Sequence, residues 1–305
     1  MQNTWPALSY ADAKATYETL HLWTQIIGKI KLAKLPWLNH SWHVTLLVTP
    51  TGLTTSTLPA GKGYFQVDFD LVSHQLNITT STGKSHTFVL ESMAVADFYH
   101  KVISALQELG IEVSLNTMPN ELEHPIPFEE DYTHATYHPK QVENLHKALL
   151  LAQDVMQQFR VKFTGKCSPV HFFWGSFDLA VSRFSGKTAP AHPGGVPNLP
   201  DWVAQEAYSH EVCSCGFWPG SEAVPFAAFY TYIYPEPEGY KTAAVKPEAA
   251  YYHTALGEFI LPYEAVQNSE NPTAILSDFL QSTYETAANL AKWDRKALEK
   301  QPVAE

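Results

Sequence analysis

Charge is scarce in this chain of 305 residues. Only 17% of positions are Asp, Glu, Lys or Arg, against about 25% in ordinary soluble domains. What charge there is lacks a basic excess: 20 Lys and Arg stand against 31 Asp and Glu, a formal net of −11. The deficit is spread evenly, with seven basic and 13 acidic residues up to Pro139 and 13 and 18 after it. Such a surface repels phosphate and gains nothing from counterion release, so nucleic acid is excluded as a partner. Cysteine is also sparse. Cys167, Cys213 and Cys215 are an odd number, which suits a reducing compartment better than a disulfide framework. No apolar run approaches the roughly 18 to 20 residues that cross a bilayer, and no basic segment followed by an apolar stretch opens the chain. The expectation is a cytoplasmic protein with no membrane partner.

What the chain has is 45% hydrophobic residues, 13% of all residues being aromatic, enough for a sizeable core. Tyr10, Ala13, Tyr17, Leu20, Thr24 and Ile27 recur at helical spacing and predict a helix over Tyr10 to Ala33, with Ser9 as its cap and Pro36 beyond its end. His43 to Val48 and Leu53 to Leu58 flank the turn sequence Thr49-Pro50-Thr51-Gly52 and read as a hairpin. Phe65, Val67, Phe69 and Leu71 alternate with Gln66, Asp68 and Asp70, the pattern of a half-buried strand. Leu76 to Thr80 and His86 to Leu90 form a second hairpin, followed by a helix from Ala94 to Leu109 and a short strand from Ile111 to Leu115.

Residues 117–139 carry four prolines and the run Glu129-Glu130-Asp131 and read as a crossover. The same style then resumes. A helix marked by Val142 to Phe159 precedes strands at Val170 to Trp174, Phe177 to Phe184, Ala227 to Tyr234 and Tyr251 to Leu261, and a last helix runs from Pro272 to about Trp293 behind Asn271. The fold expectation is therefore α+β: two similar units of helix, antiparallel sheet and helix, residues 1–116 and 140–305, arranged as an internal duplication would be. The alternative is two unrelated halves of similar element order. The second unit is longer by an insertion at about 186–226, rich in Pro and Gly. Long irregular insertions act as binding loops, lids or oligomer contacts.

Chemistry-bearing residues concentrate around that insertion. His210 and Glu211 beside Cys213 and Cys215 offer acid–base groups or metal ligands. The spacing of a structural zinc site is missing, and two thiols alternating on one face of a buried strand account for the pair, so no metal ligand is assigned. Ser209, His210 and Glu211 hold the letters of a hydrolytic triad, but neighbours in a strand point to opposite faces. The strand region Ser168 to Gly186 mixes aromatic residues with His171, Asp178 and Arg183. This composition suggests an aromatic cleft under the insertion that binds a small organic ligand, with Arg183 anchoring an anionic group, Trp174 and Trp218 as walls, and His171, His210 and Glu211 as catalytic candidates. Two other functions stay open: an interaction protein that forms a homodimer through the insertion, and a metal-dependent hydrolase. The identity of any cofactor is unknown from the sequence.

The stretches Trp5-Pro6, His21 to Gln25, Ser168 to Ala180, Tyr208 to Glu211, Gly216 to Gly220 and Phe279 to Glu285 give the chain a resemblance, over nearly its whole length, to a bacterial family catalogued as a domain of unknown function. The resemblance implies a bacterial, cytoplasmic protein and brings no activity or site residue with it. The pair Cys213 and Cys215 departs from that family's pattern, in which the two cysteines are often missing.

Overall fold

The computed structural model describes residues 4–61 and 63–300. Its first element is α1, Tyr10–Lys34, capped at its N-terminus by the Ser9 hydroxyl, which accepts from the Asp12 amide. Almost every residue from Thr16 to Lys31 is buried, so α1 runs through the core instead of lying along it. Trp23 stacks on Phe98 with ring centres 4.6 Å apart. The ammonium group of Lys31 donates to the carbonyl of Thr45, and burial lowers its pKa to about 8.

The first sheet follows. Its strands are β1 (Leu47–Thr49), β2 (Gly52–Thr54), β3 (Leu58–Ala60), β4 (Gly63–Asp70), β5 (Gln75–Thr80) and β6 (Ser85–Val89), paired antiparallel in the order β1-β2-β4-β5-β6 with β3 also on β4. The expected strand from His43 to Val48 is shorter than its β-branched content suggests. His40 and Ser41 adopt left-handed backbone with φ of 60° and 57°, and Asn39 to Ser41 forms a tight 3-10 turn. Leu53 to Leu58 is likewise split, because Ser56 takes φ 59°. Helix α2, Val95–Glu108, covers the inner face with Phe98, Val102 and Leu106. Beyond it, Ile111 to Leu115 forms no strand.

The 117–139 crossover leads into α3, Pro139–Arg160, which begins with Pro139 in its first turn. The second sheet comprises β7 (His171–Phe173), β8 (Asp178–Thr188), β9 (His210–Trp218), β10 (Ala228–Tyr234), β11 (Tyr251–His253) and β12 (Glu258–Pro262), with the short helix α4, Asp201–Ala207, between β8 and β9. The spatial order is β11-β12-β10-β9-β8-β7, antiparallel throughout. The stretch 186–226 therefore contains an interior strand, β9, and the segments before and after it, 189–209 and 219–226, lie outside the strands. Helices α5 (Tyr263–Gln267), α6 (Pro272–Leu290) and α7 (Arg295–Leu298) close the described chain. Asn271 caps α6 by accepting from the Ala274 amide at 3.1 Å.

The architecture is thus α+β with two antiparallel sheets. They join edge to edge: Leu46 and Phe172 exchange backbone hydrogen bonds of 2.9 and 2.8 Å. One hydrophobic cluster takes in Trp23, Phe69 and Phe98 from the first half and Val181, Phe217 and Tyr284 from the second. The helical layer packs on one face of the second sheet, α3 against β8 and α6 against β9 and β10. No helix among the described residues is long and apolar enough to cross a membrane.

Candidate functional site

Period-two alternation sorts the second sheet into two faces. Leu179, Val181 and Arg183 of β8, with their pairing partners Phe217, Cys215 and Cys213 of β9, look toward the helices. Asp178, Ala180, Ser182 and Phe184, with Val212 and Ser214 of β9 and Tyr230 and Tyr232 of β10, look the other way. This second face is roofed by residues 196–208, including α4, and walled by residues 37–44. Between them lies a cavity of about 500 Å³, within the range of small-molecule sites.

Its polar centre is a pair of carboxyl groups from distant parts of the chain. Asp178 begins β8 and accepts hydrogen bonds from the hydroxyls of Ser176 and Tyr230. Burial raises its pKa against the opposing pull of those two donors. Tyr230 reaches Asp178 by lying across β9 at Gly216. A Cβ on Gly216 would stand 2.3 Å from the phenol oxygen and 2.5 Å from the carbonyl of Leu179, so only glycine leaves room.

Glu121 arrives from the crossover. Its backbone is left-handed, φ 61°, an uncommon state for a residue with a side chain, and hydrogen bonds on both sides hold the segment around it, among them one from the Asn120 side chain to the Asn198 carbonyl. Gln25 of α1 binds Asn120 twice, accepting from its amide at 2.9 Å and donating to its carbonyl at 3.0 Å. The Glu121 amide donates to the carbonyl of Pro197 at 2.9 Å, and the Asn198 side chain donates to the carbonyl of Leu122 at 2.7 Å. The carboxyl group sits over Gly175, where a Cβ would be 2.0 Å from Oε1. It opens into the cavity and makes no side-chain hydrogen bond among the described residues. Burial and the neighbouring Asp178 raise its pKa to about 7. On β12, Glu258 is raised to about 8 by burial and again by Asp178.

Several other polar groups pair with one another, whereas the buried hydroxyl of Ser41 in the lining has no partner among the described residues. Tyr208 and Tyr232 pair through their hydroxyls at 2.8 Å, and Ser182 pairs with Ser214 at 2.9 Å. His40 has Nδ1 2.7 Å from the carbonyl of Ala207 and Nε2 2.6 Å from the Lys166 ammonium, so the neutral ring donates from Nδ1 and accepts at Nε2. Burial, first among several effects, lowers its pKa. At the rim, the Trp37 and Trp202 rings lie 4.6 Å apart and are 40% and 52% exposed.

The residues proposed from the sequence are dispersed. Trp174 lines the cavity, its indole nitrogen donating to the carbonyl of Val44 at 2.9 Å. His171 is 1% exposed and packs against Trp42 and Phe173. Neither of its ring nitrogens has a partner, and burial, with Lys31 and Arg160, drives its pKa to about 3. Trp218 packs on Tyr230, ring centres 4.8 Å apart, outside the lining. His210 sits at the start of β9 beside Ser209, and Glu211 reaches Lys187 at 3.9 Å. Neither lines the cavity.

Arg183 lies on the helix side of the sheet, so an anion in the cavity would not meet it. Its guanidinium is 3.3 Å from the centre of the Phe159 ring and 4.2 Å from that of Tyr284, and it donates to the Phe159 carbonyl. Its odd-numbered place in β8 dictates this, since the cavity takes the even-numbered residues. Cys213 and Cys215 share the helix side, and burial pushes the Cys213 thiol up to about 12. Among the described residues, no group of three or more His, Cys, Asp and Glu side chains is placed to hold a metal ion.

Glu121, His40, Trp37, Trp42 and Trp202 escape a reading of local pattern, because each comes from a loop, a turn or, for Trp202, the short helix α4, and reaches the sheet through tertiary contacts. The one sequence signal was glycine: Gly175 in the turn between β7 and β8, and Gly216 within β9, stand where another chain segment or ring approaches. No curated protein and no solved structure matches the chain. Residues 5–300 match the model of the family of unknown function DUF5996, and the chain belongs to that family.

Proposed function

We propose that the chain binds a small organic ligand in the cavity between the second sheet and residues 196–208. The observation that carries this reading is Glu121: a carboxyl group half-buried at the cavity wall, carried on left-handed backbone and turned into open volume without a side-chain hydrogen-bond partner among the described residues. Such a carboxyl takes its hydrogen bonds from whatever fills the cavity, and a ligand with matching donors replaces the water there. Aromatic and aliphatic walls provide area, while Glu121 and Asp178 provide orientation. Any acid–base chemistry on the ligand falls to these two carboxyls, not to His171, His210 or Glu211, because a group that transfers a proton must reach its substrate. Free thiols at all three cysteines fit a cytoplasmic setting.

The test is a fragment screen by thermal shift on the wild type and on Ala180→Trp, which fills the cavity from its floor. Fragments that raise Tm by several degrees in the wild type and leave A180W unmoved support the reading. An empty screen, or hits that ignore the substitution, sink it. The exposed pair Trp37 and Trp202 favours a second reading, in which the rim meets another copy of the chain. Light scattering on Trp202→Ser distinguishes it, since a dimer that becomes a monomer in this variant is its required outcome.

A further inference from the structure

Resting on the ligand reading above, we infer that the cavity selects cations: an organic ammonium group seated against Glu121 and Asp178, with its apolar body on the aromatic wall. The argument is an inventory of hydrogen-bonding capacity. Tyr230 and Ser176 donate to Asp178, Tyr208 pairs with Tyr232, and Ser182 pairs with Ser214. Both ring nitrogens of His40 are engaged. Each hydroxyl pair still leaves an O–H to donate, so neutral donors remain, but the charged capacity offered by the described lining lies on carboxylate oxygens.

Charge points the same way. The described lining contains two carboxyls and no Lys or Arg. Lys166, outside the lining, is taken up by His40 and by the faces of Trp42 and Phe184, 5.4 and 5.1 Å from the ring centres. Arg183 is on the far side of the sheet. An anion would meet repulsion from Asp178 and Glu121, whereas a cation relieves the repulsion between them.

Binding must then be coupled to protons. The groups that face the carboxyl pair are Tyr208 at the end of α4, Tyr230 and Tyr232 on β10, Glu258 on β12 and, across Gly175, His21 on α1. None of them brings a fixed positive charge. Glu121 titrates near 7 in the free protein, and a cation favours its ionised form. Affinity for a permanently charged ligand falls as pH drops below about 7, approaching about tenfold per pH unit.

Calorimetric titration with phenyltrimethylammonium, its neutral carbon isostere tert-butylbenzene and the anion benzoate tests the inference. The expected result is binding of the cation at least tenfold tighter than the isostere at pH 8, no binding of benzoate, and a cation affinity that weakens below pH 7. In Glu121→Gln the preference for the cation and its pH dependence shrink together while tert-butylbenzene still binds, which also establishes that the variant is folded. If the isostere or benzoate binds as well as the cation, charge selection is wrong and the ligand cavity stands. Failure of all three probes overturns both readings.

Discussion

Strands β4 and β8 both have neighbours on either side in their sheets, yet their burial differs. In β4 the apolar side chains Phe65, Val67 and Phe69 are buried while Gln66, Asp68 and Asp70 between them remain partly exposed. In β8 nearly every side chain from Asp178 to Phe184 is buried, on both faces. The first sheet needs one covering layer, α1 with α2. The second has two, the helices α3 and α6 on one side and the 196–208 roof on the other. A second layer over polar and aromatic side chains creates enclosed volume and desolvated carboxyls; a bare polar face creates neither. The site follows from where the chain spends its extra residues.

The largest test of this comparison asks whether the halves are energetically separate. Trp23 of α1 stacks on Phe98 and Tyr137 in the cluster shared by both sheets. Trp23→Ala is expected to cost about 4 kcal/mol in urea unfolding, with amides of β9 losing hydrogen-exchange protection as much as those of β4. Loss confined to the first sheet would break the single-core description. Gly216→Val comes next: it drives a side chain into the Tyr230 phenol and the Leu179 carbonyl and should cost about 3 kcal/mol. It also displaces the phenol from Asp178.

The third test uses pH, because Glu121 of the crossover and Asp70 of the first sheet respond with opposite sign. The carboxyl of Glu121 is raised in the folded state from 4.5 to about 7, so folding favours its protonated form. Its contribution destabilises as pH rises from about 4.5 through about 7, by about 2 to 3 kcal/mol in all. On the first sheet Asp70 is lowered: burial raises it, but hydrogen bonds from Ser73 and Val72 outweigh burial. Its stabilisation is present above the usual Asp range and is lost as pH falls. Glu121→Gln should therefore raise stability at pH 8 by about 2 kcal/mol and flatten the loss between pH 5 and 8, leaving the acid-side decline in place. Smallest of all, Gln66→Thr on the bare face should change the free energy of unfolding by less than about 0.5 kcal/mol.

Much of this fold is readable in sequence wherever one face of an element is apolar. Helix α1, strand β4 and helix α6 follow from spacing and caps, because burial on one side imposes a period. Residues 210–218 are harder, since a strand buried on both faces by Cys, Ser, Gly and Val loses alternation. The site was less legible. Trp174 and the roof over the second sheet follow from composition, and alternation from Asp178 onward would have put Arg183 with the helix-facing residues. Glu121 could not be read. It lies in a segment that resembles a linker, and it meets Asp178 only because Gln25 and Asn198 fix the backbone on either side.

Those same bonds bear on kinetics. The roof is tied to the crossover by the amide of Glu121 and the side chain of Asn198, so it cannot swing away as a free flap. Moving the roof aside requires rupture of these straps, a slow local opening, whereas the rim indoles Trp37 and Trp202 can rotate in a fast side-chain event. For a ligand of the kind proposed above, residence time would be set by whether its exit needs the straps to part.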